Sequence, residues 1–336
     1  MSGASAPRAA IVGLAGLAVA PEEAALFAAH PPAGAILFRR NIADPQQLRA
    51  LTASLHAILP PGAPILVDQE GGRVARLRPP HWRAHPPAAA IGALHERDEA
   101  AGLRAAWLTG ALIGLDCAGV GIDVNCAPVL DLLLPETHAA IGDRAFSADP
   151  IAVAALGRAM AKGLLAAGVQ PVGKHAPGHG RAGVDSHVSL PVVPDTDLSA
   201  DLVPFAANAD FPWMLTAHIL YPALDSARPA TLSPAIIGGI IRGRIGFAGV
   251  LASDDLAMQA LAGTPAERAT AALAAGCDIA LYCPGDAEGN AAVLAACPAL
   301  TEAATARLAA ARAKAAARRV PLDATKLAAE RDGLFA

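Results

Sequence analysis

Aromatic side chains are scarce in this chain: seven Phe, three Trp and two Tyr among 336 residues. Hydrophobic residues still make up 54%, enough for a sizeable core, and much of that fraction is helix-forming alanine. No uninterrupted apolar run reaches the length of about 18 residues that a membrane span would need. An excess of one charge sign is missing too. The formal net charge is −4, which argues against nucleic acid or an anionic membrane as a partner. The basic residues are scattered apart from a short cluster between Arg312 and Arg319, read as a solvated helix face. The five cysteines form no Cys-x-x-Cys pair and leave one odd thiol. Each lies among apolar neighbours, the pattern of buried free thiols in a reducing compartment.

What the chain does have is alternation. Short apolar, β-branched runs at residues 10–14, 35–38, 65–68, 122–125, 172–175, 213–218, 250–254 and 279–283 are separated by Ala-rich helical patterns, among them 45–58, 96–118, 150–167 and 265–275. Eight strands alternating with helices predict an α/β fold, a (β/α)8 TIM barrel. The rival is an open doubly wound sheet, weakened because no glycine-rich dinucleotide fingerprint or phosphate loop follows any strand. Asp44-Pro45 and Asp149-Pro150 place a capping residue before a proline at the first helical position. No linker or repeat divides the chain, so residues 1–336 are expected to form a single domain, with helices from about residue 285 onward packing on the barrel. The segment 9–20 imitates a signal peptide ending Ala18-Val19-Ala20. The first barrel strand is the better reading, since a cut there would leave the barrel one strand short. A cytoplasmic location is expected, and a monomer is favoured.

In such a barrel the reacting groups gather at the carboxyl ends of the strands. Five consecutive strands here finish in polar or ionisable residues: Asp68-Gln69-Glu70, Asp123-Val124-Asn125 with Asp131 beyond, Lys174-His175, His218, and Ser253-Asp254-Asp255. Asp123 or Asp131 could equally well cap a turn. The segment 174–187 is the richest, with Lys174, His175, His179, Arg181, Asp185 and His187 among glycines that allow sharp, mobile backbone. Asp185 stands two residues before His187, so its carboxylate can orient the imidazole for proton transfer. The alternative is a metal held by His175, His179, Asp185 and His187, but their spacing matches no common zinc signature. Asp254 and Asp255 should point to opposite sides of their strand, one into the cavity and the other capping a helix that begins near Leu256.

Taken together, these segments resemble the glycoside hydrolase family 3 β-N-acetylhexosaminidases, the bacterial single-domain kind that recycles cell-wall fragments. The similarity rests on residues 67–76, 140–146, 173–180, 185–187 and 252–258, which occur in that order. The resemblance implies that Asp254 is the nucleophile and that His187 is the acid/base, held by Asp185. It implies that Asp68, Arg76, Arg144, Lys174 and His175 grip a terminal N-acetylglucosamine, so the expected partner is a carbohydrate, a muropeptide carrying that sugar. Neither a metal nor an organic cofactor is expected. An oxocarbenium-like transition state needs an anion beneath the sugar and a proton donor beside the leaving oxygen, and an imidazole ordinarily titrates near pH 6.5. Two departures stand out: Ala176 replaces the usual phenylalanine, and Ala15-Gly16-Leu17 lacks the usual acidic residue. The competing readings are a broad-specificity family 3 β-glycosidase, a phosphorylase, and a catalytically silent sugar-binding barrel.

Overall fold

The computed structural model describes residues 6–336. Eight parallel strands close into a barrel: β1 (Arg8–Gly13), β2 (Pro32–Leu37), β3 (Ile65–Val67), β4 (Val124–Asn125), β5 (Gln170–Ala176), β6 (Trp213–Thr216), β7 (Val250–Asp255) and β8 (Ile279–Tyr282). Strands adjacent in sequence are adjacent in the barrel, and β1 closes on β8 with Ile11 opposite Leu281. This is the (β/α)8 barrel that the alternation predicts. The ends differ: β2 begins at Pro32 rather than residue 35, and β6 stops at Thr216, leaving His218 beyond it. Residues 9–13 of the segment that imitates a signal peptide lie in strand β1, as the barrel reading expects.

Successive strand residues face opposite ways, and two apolar layers follow from that. Ile11, Leu66, Val172, Trp213, Val250 and Ile279 fill the barrel interior. Ala10, Val12, Ile65, Met214 and Leu251 face the surrounding helices. The indole of Trp213 is buried inside with its Nε1 donating to Gln170 Oε1 at 2.8 Å. Helix Glu302–Arg318 lies across the floor, where Ala311 and Leu308 pack on the interior layer. Its Arg312 donates to the Gly62 carbonyl ahead of β3, and Arg307 to the Ala248 carbonyl ahead of β7. With the floor covered, ligand access belongs to the opposite mouth.

The expected caps form: Asp44 accepts from Gln46 and Gln47, and Asp149 from Ile151. The helix read over 96–118 is in fact two, Ala88–Arg97 and Glu99–Ala118, broken at Asp98, which leaves the helical region and caps the second. Helix Ala324–Leu334 docks on Glu99–Ala118 through an Arg104–Glu330 pair, and its Arg331 donates at 2.9 Å to Nδ1 of His85, a loop residue whose Nε2 pairs with Asp116 of that helix.

In place of large side chains, close backbone approach holds the Ala-rich helices together. Glu99–Ala118 and Pro150–Ala166 meet at Gly110 and Gly163, where an added Cβ would stand 2.1 Å from the Met160 and Trp107 carbonyl oxygens. Two effects oppose each other in Gly163→Ala. Helix propensity favours Ala by about 1 kcal/mol, whereas overpacking against rigid backbone costs about 1–3 kcal/mol. The clash is with a carbonyl that cannot rotate away, so the variant should unfold at lower urea concentration than the parent. An unchanged or higher midpoint would mean that these helices part at little cost.

Candidate active site

The mouth of the barrel is assembled from the segments that follow β3, β4, β5 and β7. Directly after β3 comes an antiparallel hairpin, Gln69–Gly71 with Val74–Ala75, which lies outside the barrel. Gly71 and Gly72 turn it with φ of 103° and 55°, values that favour glycine. Gln69 locks it down: its N–H donates to Asn125 Oδ1 at 2.9 Å, and its Oε1 accepts from the Arg76 and Leu77 amides. The hairpin thereby carries Glu70 and Arg76 to the side of Asp68.

These residues build a compact charge array. Lys174 Nζ, buried on β5, lies 3.0 Å from Asp68 Oδ1 and 2.6 Å from Glu70 Oε1. Arg76 Nη2 reaches Asp68 Oδ2 at 3.2 Å. Arg144 takes Glu70 in a two-pronged pair at 2.8 and 2.9 Å, the geometry that suits guanidinium and carboxylate best. Burial alone would raise both carboxyls, but Lys174 with Arg76 holds Asp68 far below its ordinary value. Arg144 and Lys174 hold Glu70 down to about 2. Burial pulls the Lys174 ammonium down, and the same two carboxylates more than reverse it.

His175 turns its Nδ1 to Asp131 Oδ2 at 2.7 Å. The other oxygen of Asp131 accepts from the amides of His175 at 3.2 Å and His179 at 2.6 Å. Further along, Asp185 Oδ1 accepts from His187 Nδ1 at 2.8 Å and from the His187 amide at 2.9 Å, so the predicted dyad forms. Ser186 between them lies 3.2 Å from His179 Nε2 through its hydroxyl. Among the described residues no three His, Cys, Asp or Glu side chains converge as a metal ion would need. His175 and His187 each face a carboxylate instead.

Asp254 closes the site from β7. Burial raises its carboxyl, but His175, His218 and the Asp255 amide outweigh it, leaving the group below its ordinary value. Asp255 does point elsewhere, though not to a helix at Leu256. Its Oδ1 accepts from Ala257 in a turn and from Cys283 beyond β8, and the next helix starts only at Pro265, capped by Thr264. The cause is local: residues 256–261 form a turn that leads on to Gly263, and the Thr264-Pro265 pair supplies the stronger helix start.

One cavity of about 220 Å³ is lined by Asp68, Arg76, Arg144, Lys174, His175, Asp185, His187 and Asp254 together. The eight residues that the family resemblance implied thus meet in one place, whereas Asp123 stands ahead of β4 and accepts from the Ile65 amide, and His218 is bound to Thr231 and the Asp255 carbonyl outside the lining. Glu70 and Asp131 were missed as contributors. Both stood in segments flagged at strand ends, but a carboxylate that binds cations cannot be told from a turn cap without the partners in view. Ala176 is fully buried and keeps β5 continuous, its carbonyl accepting from the Ala217 amide.

The model for the glycosyl hydrolase family 3 N-terminal domain matches residues 10–321. The chain belongs to glycosyl hydrolase family 3. A β-hexosaminidase of Chromobacterium violaceum is 44% identical over 296 residues, covering 86% of this chain and 82% of that one. A β-hexosaminidase of Alkalilimnicola ehrlichii is 43% identical over 280 residues, covering 81% and 80%. The crystal structure of NagZ from Neisseria gonorrhoeae in complex with N-trifluoroacetyl-D-glucosamine superposes with a TM-score of 0.87 at 32% identity, covering 98% of this chain and 99% of that one. This family 3 protein is a β-N-acetylhexosaminidase, a hydrolase acting on carbohydrate.

The depressed groups set the acid sensitivity of the hexosaminidase. Glu70 and Asp131 titrate at about 2 in the fold, against about 4 in the unfolded chain. Between those values the unfolded chain binds more protons, so the stability these groups contribute is complete above about pH 5 and is lost as pH falls toward 2. Burial depresses His179 to about 4. That adds an earlier loss between about pH 6.5 and 4, where the unfolded imidazole is protonated first. The free energy of unfolding should therefore fall from pH 7 to 3, and His179→Gln should make the upper part of the slope shallower, with His85 and His218, also held down by burial, supplying the remainder. A stability maximum near pH 4.5 would contradict this.

Proposed function

We propose that the protein is a retaining exo-β-N-acetylglucosaminidase that releases terminal β-linked N-acetylglucosamine from peptidoglycan-derived muropeptides. The observation that carries this reading is the convergence of Asp254, the Asp185–His187 pair and the Asp68, Arg76, Arg144, Lys174 and His175 group on one cavity. The Neisseria relative holds an N-acylated glucosamine, which supports the choice of sugar. The cytoplasm is the proposed site of action, in keeping with five buried free thiols, and the monomer is the proposed working form.

The sugar binds with its hydroxyl and acetamido groups against the charge array, where Asp68 accepts and the cations donate. Asp254, held ionised by its surroundings, attacks the anomeric carbon as the glycosidic C–O bond breaks. His187 uses Nδ1 on Asp185, which leaves Nε2 to give its proton to the departing oxygen. In the second half a water molecule returns a proton to Nε2. The water oxygen displaces Asp254 from the anomeric carbon, and two inversions restore the β configuration.

Asp254→Ala should abolish turnover of 4-nitrophenyl N-acetyl-β-glucosaminide with an unchanged circular dichroism spectrum, and a fluorosugar should label Asp254 in peptide mass maps. Labelling of a different residue would sink the assignment. His187→Ala should slow release of N-acetylglucosamine from muropeptides far more than hydrolysis of the aryl substrate, because a good leaving group needs little protonation. Equal losses on both would remove His187 from the acid role. Mass analysis of the muropeptide products with and without phosphate separates hydrolysis from phosphorolysis.

A further inference from the structure

Asp131 is 1% exposed and stands behind the cavity wall, out of reach of a bound sugar. Its two oxygens serve different ends. Oδ1 accepts two backbone amides, from His175 and His179, and so shapes the segment after β5. Oδ2 meets only the His175 ring, at 2.7 Å. As a carboxylate the group can only accept, and the proton it shares with the ring belongs to His175 Nδ1.

His175 lines the cavity, and Nε2 is the ring nitrogen that Asp131 leaves free. His175 Nε2 lies 3.5 Å from Arg144 Nη2, an atom that can only donate and that already binds Glu70. A proton on Nε2 would set donor against donor; a lone pair there meets a donor. We infer that Asp131 is a positioning residue that fixes the tautomer of His175, leaving on Nε2 one lone pair that a substrate hydroxyl takes up in place of the long 3.5 Å contact with Arg144. Every other group in the array that contacts the cavity through nitrogen donates: Arg76, Arg144 and Lys174. His175 thus supplies an uncharged acceptor beside them, complementing the carboxylate of Asp68. The inference rests on the reading that His175 touches the sugar.

The isosteric variant Asp131→Asn separates the two roles of the carboxylate. Its amide oxygen can still accept both backbone amides, while its NH2 turns toward His175 Nδ1 and drives the ring proton to Nε2. Ring nitrogen–proton correlation spectra of 15N-labelled protein, with the signal assigned by its loss in His175→Gln, should show Nδ1 protonated in the parent and Nε2 protonated in Asp131→Asn. In the serine-protease triad the same carboxylate-to-amide change leaves the wrong tautomer and lowers kcat about 10⁴-fold; a histidine that binds rather than transfers the proton gives a smaller loss. Here kcat/KM on the aryl substrate should drop at least about 100-fold at a near-parental melting temperature. In the His175→Gln background the Asp131→Asn change should cost little more, since it acts through that ring.

Parental kcat/KM in Asp131→Asn, or losses that multiply in the double variant, would overturn the inference. So would a parental spectrum with the proton on Nε2, a result that stands even if the variant fails to fold. If His175→Gln alone keeps full activity, the fault lies instead with placing His175 on the substrate.

Discussion

The Lys174 ammonium, wedged between Asp68 and Glu70 at 3.0 and 2.6 Å, is the interaction on which the mouth of the barrel depends. An unpaired ion taken out of water costs several kcal/mol, and such a group survives only when its partners are close and themselves satisfied. Lys174 satisfies two carboxylates from a different part of the chain. Each of those is completed by an arginine, Arg76 on Asp68 and Arg144 on Glu70. Three segments remote in sequence are thereby obliged to meet, and the position of each charge is fixed by the others. A sugar entering this array finds donors and acceptors already aligned, so little reorganisation remains for the moment of reaction.

The scaffold explains how so dense an array is tolerated. Backbone bonds between parallel strands hold the barrel wall, and helix Glu302–Arg318 covers its floor. The apolar layers therefore need nothing from the mouth. Small residues at helix contacts, such as Gly110 and Gly163, compensate for the scarcity of aromatics by drawing backbones together. Stability is thus supplied below and around the site, and the carboxyl ends of β3, β5 and β7 are free to carry charge.

Much of this was legible in the residue pattern. Alternating apolar runs gave the strand number and order, because burial on both faces demands β-branched runs at every barrel strand. The paired caps at Asp44 and Asp149 appeared where expected. The site residues were legible through motif order and through polar residues ending apolar strands, where burial would otherwise be costly. The hairpin after Asp68 was not read as strands, since its pairing is two residues deep and depends on Gln69 reaching Arg76 and Asn125. No helix starts at Leu256, because the turn that Asp255 holds through Ala257 runs on to Gly263 and Thr264-Pro265 supplies the helix start.

The linear chain by itself determined the barrel, its family and the chemical types available at the mouth, since periodicity and motif spacing are local properties. Tertiary structure alone decided what each ionisable group does. Whether Asp131 caps a turn or orients His175, and whether Glu70 is surface charge or the partner of Arg144 and Lys174, depends on neighbours 44 to 104 positions away in the chain. Electrostatic roles follow distances of a few ångströms in a medium that excludes water, and only folding sets those distances.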